Sequence, residues 1–197
     1  MELRETAEEA YREALPALGA SLVGGLLAGV VLGGMRAELR AVEGLLVLVP
    51  ALLATRGNVY GSFGARLSTG LHQGLVEPRV RAGDERVRRA ATAALANGLL
   101  ASTVAAVLAF FVLTLLGAPV ASLPVLVGVA LIAGLLSGIA LTAVVLVVVF
   151  AGYRRGRNPD TLVGPLVTTT GDVFGMLFLL VAVRATLSIA GFLGGGG

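Results

Sequence analysis

Between Arg89 and Arg154 the chain contains not one Asp, Glu, Lys or Arg. A soluble domain of that length needs charged side chains to face water, whereas a helix crossing the ~30 Å hydrocarbon core of a bilayer needs about 20 apolar residues. The uncharged stretch is long enough for two such helices and a turn. Charged residues make up 14% of the chain and hydrophobic residues 56%, against roughly 25% charged in soluble domains. We therefore predict an all-α, polytopic membrane protein.

Five apolar runs predict five transmembrane helices. Residues 1–13 are charged and are predicted to form a short cytosolic helical segment. Residues 14–193 are predicted to form one transmembrane domain, and residues 194–197 a flexible glycine tail. The expected spans are about 14–35, 44–74, 90–116, 125–153 and 161–189.

Glycine spacing adds two local predictions. In the first span Gly25, Gly29 and Gly33 recur every fourth residue, which predicts close packing against another helix. The second span is expected to be one long but locally irregular helix, because glycines between residues 57 and 64 could free backbone carbonyl oxygens to bind ions.

Arginines in the connections predict the orientation, since basic residues are retained on the cytoplasmic side. They cluster after the second span, from Arg79 to Arg89, and after the fourth, from Arg154 to Arg157, while residues 117–124 contain none. The amino terminus is therefore expected inside and the carboxyl terminus outside, in a multi-pass protein of the cytoplasmic membrane. These clusters are interpreted as topology signals in contact with the lipid bilayer, so we predict no nucleic-acid partner.

Asp172 is the residue that most requires an explanation. It follows Thr161 by 11 residues, or ~16 Å of helix, and a carboxylate at that depth in a bilayer is costly and typical of a functional site. Helical spacing places Thr168 and Thr169 on the same face. A second polar face, on the second span, is expected at a similar depth and includes Asn58, Ser62 and Thr69.

These oxygen-bearing residues predict a site for a hard cation. The chain has no cysteine and one histidine, which excludes soft-metal sites built from those ligands. Mg²⁺ is typically held by one or two carboxylates together with carbonyl and water oxygens, so it is the expected transported ion, with Mn²⁺ or another divalent cation as the alternative. One aspartate under-neutralises a dication, and a two-fold homodimer would bring a second Asp172 to the same axis.

Arg56 leaves three interpretations open. It could pair with Asp172 as a structural ion pair, or extend toward the cytoplasmic interface. It could also act as a modulating charge, because a fixed cation beside Asp172 would lower the affinity for a dication.

Functions other than transport of a divalent cation are also compatible with these residues. The same residues would suit a proton- or sodium-coupled carrier of a small solute, with Asp172 as the coupling group, or a subunit of a larger transporter. An enzyme is not predicted, because an intramembrane aspartyl protease needs a second membrane carboxylate.

Two segments carry a family resemblance. Residues 48–69, LVPALLATRGNVYGSFGARLST, resemble the second helix of the MgtE-type magnesium transporters and of their animal relatives, solute carrier family 41. Residues 158–172, NPDTLVGPLVTTTGD, are similar to that family's loop and fifth helix. The resemblance implies a five-helix unit that dimerises, or is duplicated, around a central cation path. It implies Asp172 as the main pore carboxylate, with Asn58, Thr69, Thr168 and Thr169 contributing.

The chain departs from the family pattern at two points. Only about a dozen residues precede the first span, so gating by the cytosolic magnesium-sensing domains of the bacterial members is not expected. Arg56 stands where the bacterial members usually carry an uncharged residue and the animal relatives a lysine. A Na⁺/Mg²⁺ exchanger is therefore an alternative to a channel.

Overall fold

The computed structural model describes residues 2–77, 84–156 and 159–194, and all regular structure within these ranges is helical. The prediction of an all-helical chain is therefore confirmed. Arg79, Arg81, Arg157, Asn158 and the glycines at 195–197 lie outside the described residues. The helices are α1 Glu2–Gly34, α2 Arg36–Ala41, α3 Leu45–His72, α4 Glu85–Leu115, α5 Leu123–Arg154 and α6 Pro159–Gly194.

Four of the helical segments are long and apolar enough to cross a membrane: α3, α4, α5 and Gly164–Phe192 of α6. Helix α1 continues from the charged amino-terminal segment into a shorter apolar stretch, Leu18–Gly34. Many large apolar side chains on these helices face outward, among them Leu115 and Phe192. Such an outer surface suits lipid rather than water, and the chain is a polytopic membrane protein.

The helix ends follow from local sequence. Asp84 caps α4, because its carboxylate accepts hydrogen bonds from the backbone N–H groups of Arg86 and Val87. Gly44 precedes α3 with φ +85°, and a Cβ there would lie 2.7 Å from Cδ1 of Leu113. Gly44 is therefore needed both for its backbone conformation and for the close approach of α4.

The connections lie at two opposite ends of the bundle. At the Glu38 end, Ala121 N donates to Glu43 O at 2.9 Å, and Arg184 Nε donates to Glu38 Oε1 at 2.9 Å. At the Tyr153 end, Tyr153 Oη donates to Leu71 O at 3.4 Å, and the Tyr153 and His72 rings meet edge to face. Successive long helices therefore alternate in direction.

Helix α6 lies centrally and contacts α1, α3 and α5, while α4 packs on α3 and α5. Small residues allow the closest approaches: a Cβ on Gly134 would lie 3.0 Å from Ser102 Oγ of α4, and Gly138 lies against Tyr60 and Leu95. Such close backbone packing is how membrane helices associate where lipid supplies no hydrophobic drive.

Two local predictions about glycine are corrected by the structure. Gly25, Gly29 and Gly33 have no neighbouring atom within 4 Å of an added Cβ, and it is Gly24 and Ala28 that face the bundle. Both faces of α1 carry small apolar residues, so spacing alone does not reveal which one packs. Helix α3 is also continuous from Leu45 to His72, without the expected irregularity, because its glycines keep helical backbone conformations.

Candidate functional site

A layer of polar residues crosses the middle of the bundle and separates two apolar clusters. On α3, Leu52 belongs to the cluster nearer the Glu38 end and Tyr60 to the cluster nearer the Tyr153 end, with Arg56 between them. Helices α4, α5 and α6 also contribute to both clusters, and each carries at least one polar residue between its two apolar segments. We call this set the mid-bundle polar layer: Arg56, Ser102, Ser137 and Asp172.

Asp172 lies on α6 between the contacts that this helix makes with α1 and α3. Three residues before it, Thr169 packs against Gly24 of α1; three residues after it, Gly175 lies against Arg56 and Leu53 of α3. The Asp172 side chain is half-buried and forms no ion pair or hydrogen bond within the described residues. An unpaired, partly exposed carboxylate therefore lies within the apolar segment Gly164–Phe192 of α6.

Arg56 does not adopt either structural arrangement considered from sequence. Its side chain is only 3% exposed, so it does not extend to the interface, and it forms no ion pair with Asp172. Its guanidinium lies against Gly175, and Nε and Nη2 are buried without hydrogen-bond partners. Within the described ranges, the Asp172 carboxylate on α6 and the Arg56 guanidinium from α3, which contacts α6 one turn further along at Gly175, are therefore opposite charges that form no ion pair with each other.

Asn58 and Ser62 line a groove between α3 and α4 with a volume of about 330 Å³. Arg66 lies one turn further along α3, and small residues of α4 leave room on the opposite wall. Asp172 and the threonines of α6 do not line this groove. The sequence predicted that the polar face of α3 and the polar face of α6 with Asp172 lie at a similar depth. Within one protomer the groove contains residues of the α3 face only, so it does not connect the two faces.

Asn97 also lines this groove, and sequence analysis missed it. It is the one amide side chain between residues 90 and 116, and that isolated amide in an apolar run was the available signal. Its place opposite Asn58 could not be read from the sequence, because the rotation of α4 about its own axis was unknown.

The threonines have different environments. Thr168 is exposed on α6, whereas the Thr169 hydroxyl is buried without a hydrogen-bond partner. Thr69 is exposed on α3 and its hydroxyl donates to the Ala65 carbonyl at 3.0 Å, outside the residues that line the groove. Among the three, Thr168 is therefore the hydroxyl that is both exposed and one turn from Asp172.

Comparison with known protein families gives the decisive observation. The family described as MgtE, divalent cation transporter, matches residues 49–182, which is more than half of the chain. The chain belongs to the MgtE family. The matched segment of this MgtE-family chain contains every site residue predicted from sequence, and Asn97 as well.

One curated relative extends the comparison. Solute carrier family 41 member 3 of Rattus norvegicus is 29% identical over 174 residues, covering 84% of this chain and 36% of the rat protein. The MgtE-family chain thus spans about a third of that relative's length. The resemblance stated from residues 48–69 and 158–172 is confirmed, and the family is one of membrane transporters.

The charge of the site limits what one MgtE-family protomer can bind. In the described ranges, no group of three or more His, Cys, Asp or Glu side chains lies close enough to hold a metal ion. Asp172 is the carboxylate of the mid-bundle polar layer and supplies a single negative charge. The arrangement can attract a cation through that charge and complete its ligand shell with hydroxyl, amide and water oxygens.

Proposed function

We propose that this chain transports Mg²⁺ across the cell membrane and that Asp172 is the carboxylate that binds the ion on its path. The observation that carries this proposal is the half-buried, unpaired Asp172 in the middle of a bundle whose family transports divalent cations. A carboxylate kept charged in a membrane needs water or a cation, because lipid offers neither.

The ion is proposed to pass between two copies of the chain. One Asp172 does not balance a dication, and its open side needs protection from lipid. In a homodimer with its two-fold axis beside α6, the partner contributes a second Asp172, and the interface between the protomers covers both carboxylates. On this proposal Thr168 faces the axis. Because the chain has no cysteine, the Thr168→Cys variant should form a disulfide between the two protomers. A chain that is monomeric in lipid nanodiscs would contradict the proposed dimer.

The remaining ligands are proposed as weaker contributors. Thr168 and Thr169 lie one turn from Asp172, and their hydroxyls suit the outer hydration shell of a Mg²⁺ ion. Asn58 and Ser62 are proposed to line the hydrated approach along α3, with Thr69 nearer its end. Each of these positions supplies a neutral oxygen, so we expect single alanine variants to slow transport rather than abolish it.

The Tyr153 end is proposed to face the cytoplasm. The described arginines near this end include Arg86, Arg88 and Arg89 at the start of α4, and Arg154 and Arg155 at the end of α5. The Glu38 end carries Arg36 and Arg40, with Glu38 and Glu43 beside them. The larger excess of positive charge is therefore at the Tyr153 end. Basic residues are retained on the cytoplasmic side, so this favours a cytoplasmic Tyr153 end and an amino terminus that lies inside.

Exchange of Mg²⁺ for Na⁺ is a second candidate, favoured by the burial of Arg56 beside the α6 site. A buried positive charge near Asp172 disfavours free passage of a dication. Replacing Arg56 by Ala should then change the rate of Mg²⁺ flux or its dependence on a sodium gradient. Unchanged flux under both conditions would exclude a role for Arg56 in coupling.

The test is uptake of Mg²⁺ by proteoliposomes that contain the purified chain, followed with an internal indicator. We expect uptake above that of protein-free vesicles, and comparison with Mn²⁺ under the same conditions measures selectivity. Absence of divalent flux under any sodium or proton gradient contradicts the proposal. Proton movement that depends on a small solute, without divalent flux, would instead favour a coupled carrier.

A further inference from the structure

Gly175 makes room for the guanidinium of Arg56. A Cβ on Gly175 would lie 2.6 Å from Nη1 of Arg56, closer than real Cβ contacts, and 3.0 Å from Cδ2 of Leu53, which is a tight contact. The missing side chain therefore creates a notch on α6 that the guanidinium enters from α3. Gly175 is buried, so the notch is closed from solvent and lipid.

The notch lies one helical turn beyond Asp172 on the same helix. A guanidinium within reach of a carboxylate would ordinarily form a bidentate ion pair with it, since that pairing satisfies both charges. Here the pair is absent from the described residues, and two guanidinium nitrogens stay without hydrogen-bond partners. The notch therefore holds the Arg56 guanidinium in a position where it forms no ion pair with Asp172.

We propose that the Gly175 notch holds the Arg56 guanidinium away from Asp172 and so keeps that carboxylate free to bind a divalent cation. If the guanidinium reached Asp172, it would act as a tethered competitor at very high effective concentration. Gly175 is therefore a positioning residue that sets the cation affinity of Asp172 through Arg56. This inference rests on the proposed role of Asp172.

Filling the notch tests the inference. In the Gly175→Ala variant the guanidinium is displaced, and Asp172 is an unpaired carboxylate one helical turn from Gly175 on the same helix. We expect Mg²⁺ binding, measured by calorimetry on the full chain in lipid nanodiscs, to weaken about tenfold, a ratio that corresponds to about 1.4 kcal/mol. Adding Arg56→Gln to this variant removes the competitor, so the added methyl group should then no longer weaken binding.

Gly171→Ala is the matched control. It adds the same methyl group to a buried glycine of α6, but the new Cβ lies 3.7 Å from the nearest Leu141 atom, an ordinary contact. Its Mg²⁺ affinity should stay within about twofold of the native value. Equal affinities in the Gly175→Ala and Gly171→Ala variants would overturn the inference.

A second measurement does not depend on Gly175→Ala folding. Without divalent cations, Arg56→Gln should change the melting temperature equally in the native chain and in Asp172→Asn, because the two charges are not paired. A clearly smaller change in the Asp172→Asn background would reveal a pair and overturn the inference while the proposed transport stands. Mg²⁺ binding that is unaffected by Asp172→Asn would instead contradict the proposed function itself.

Discussion

The junction of α3, α4 and α5 gives the most quantitative prediction about the fold. The Tyr60 hydroxyl is buried between Gly98 and Gly138, and it contacts the position that a Gly138 Cβ would take. The same Cβ would lie 2.5 Å from Cδ1 of Leu95. Overpacking of this kind costs about 1–3 kcal/mol, partly offset by up to about 1 kcal/mol for the better helix propensity of alanine. Gly138→Ala should therefore destabilise the fold by about 1–2 kcal/mol.

Tyr60→Phe is the companion variant. It removes a buried hydroxyl that has no hydrogen-bond partner, so no hydrogen bond is lost. Burying such a group without a partner costs about 1–3 kcal/mol, so we expect the free energy of unfolding to stay equal or to rise. In the double variant Tyr60→Phe/Gly138→Ala, removing the hydroxyl should relieve the clash with the new Cβ. The relief should be only partial, because the same Cβ still contacts Leu95. The expected coupling energy is about 0.5–2 kcal/mol.

The free energy of unfolding can be measured by steric trapping in bicelles. Gly29→Ala serves as the control, because its added Cβ has no neighbour within 4 Å and should change stability by no more than about 1 kcal/mol. If Gly138→Ala and Gly29→Ala have the same effect, or if Tyr60→Phe gives no relief, the packing of Tyr60 between α4 and α5 is refuted.

Further predictions concern the ends of the bundle. The hydrogen bond from Arg184 lowers the pKa of the Glu38 carboxyl below its ordinary value of 4.5. The resulting stabilisation is present above that value and is lost as pH falls through the lowered pKa, so the acid-dependent fall in melting temperature should be larger in the native chain than in Arg184→Gln. An equal fall in both would argue against the ion pair. In this cysteine-free chain, Cys at Arg155 should react with an impermeant maleimide from the cytoplasmic side and Cys at Ala118 from outside; the reverse pattern would contradict the orientation.

Sequence was sufficient for the helical nature of the chain and for its four long apolar helices, because their signal is composition, whereas the expected first span corresponds to the shorter apolar stretch Leu18–Gly34. Uncharged runs long enough to cross a bilayer stand out wherever charges are confined to connections. Asp172 stood out for the same reason, as a carboxylate in the middle of such a run.

Helix rotation is what the sequence did not determine. In a soluble bundle a polar face points to water, but in a membrane both the lipid and the protein interior are apolar, so little in the pattern orients a helix. The error at Gly25, Gly29 and Gly33 follows from this, as does the missed role of Asn97. Arg56 depends in addition on an absent side chain, since Gly175 on another helix provides the space that its guanidinium takes.

The most direct test of the central claim compares Mg²⁺ flux through the native chain and Asp172→Asn in proteoliposomes with equal protein amount and orientation. Asn keeps the shape of the side chain and removes its charge. Glu85→Gln, the same chemical change at a residue that pairs with Arg88 and Arg89 at the start of α4, is the control and should transport as the native chain does. The account predicts that Asp172→Asn loses Mg²⁺ flux; equal flux in the native and Asp172→Asn proteins would contradict it.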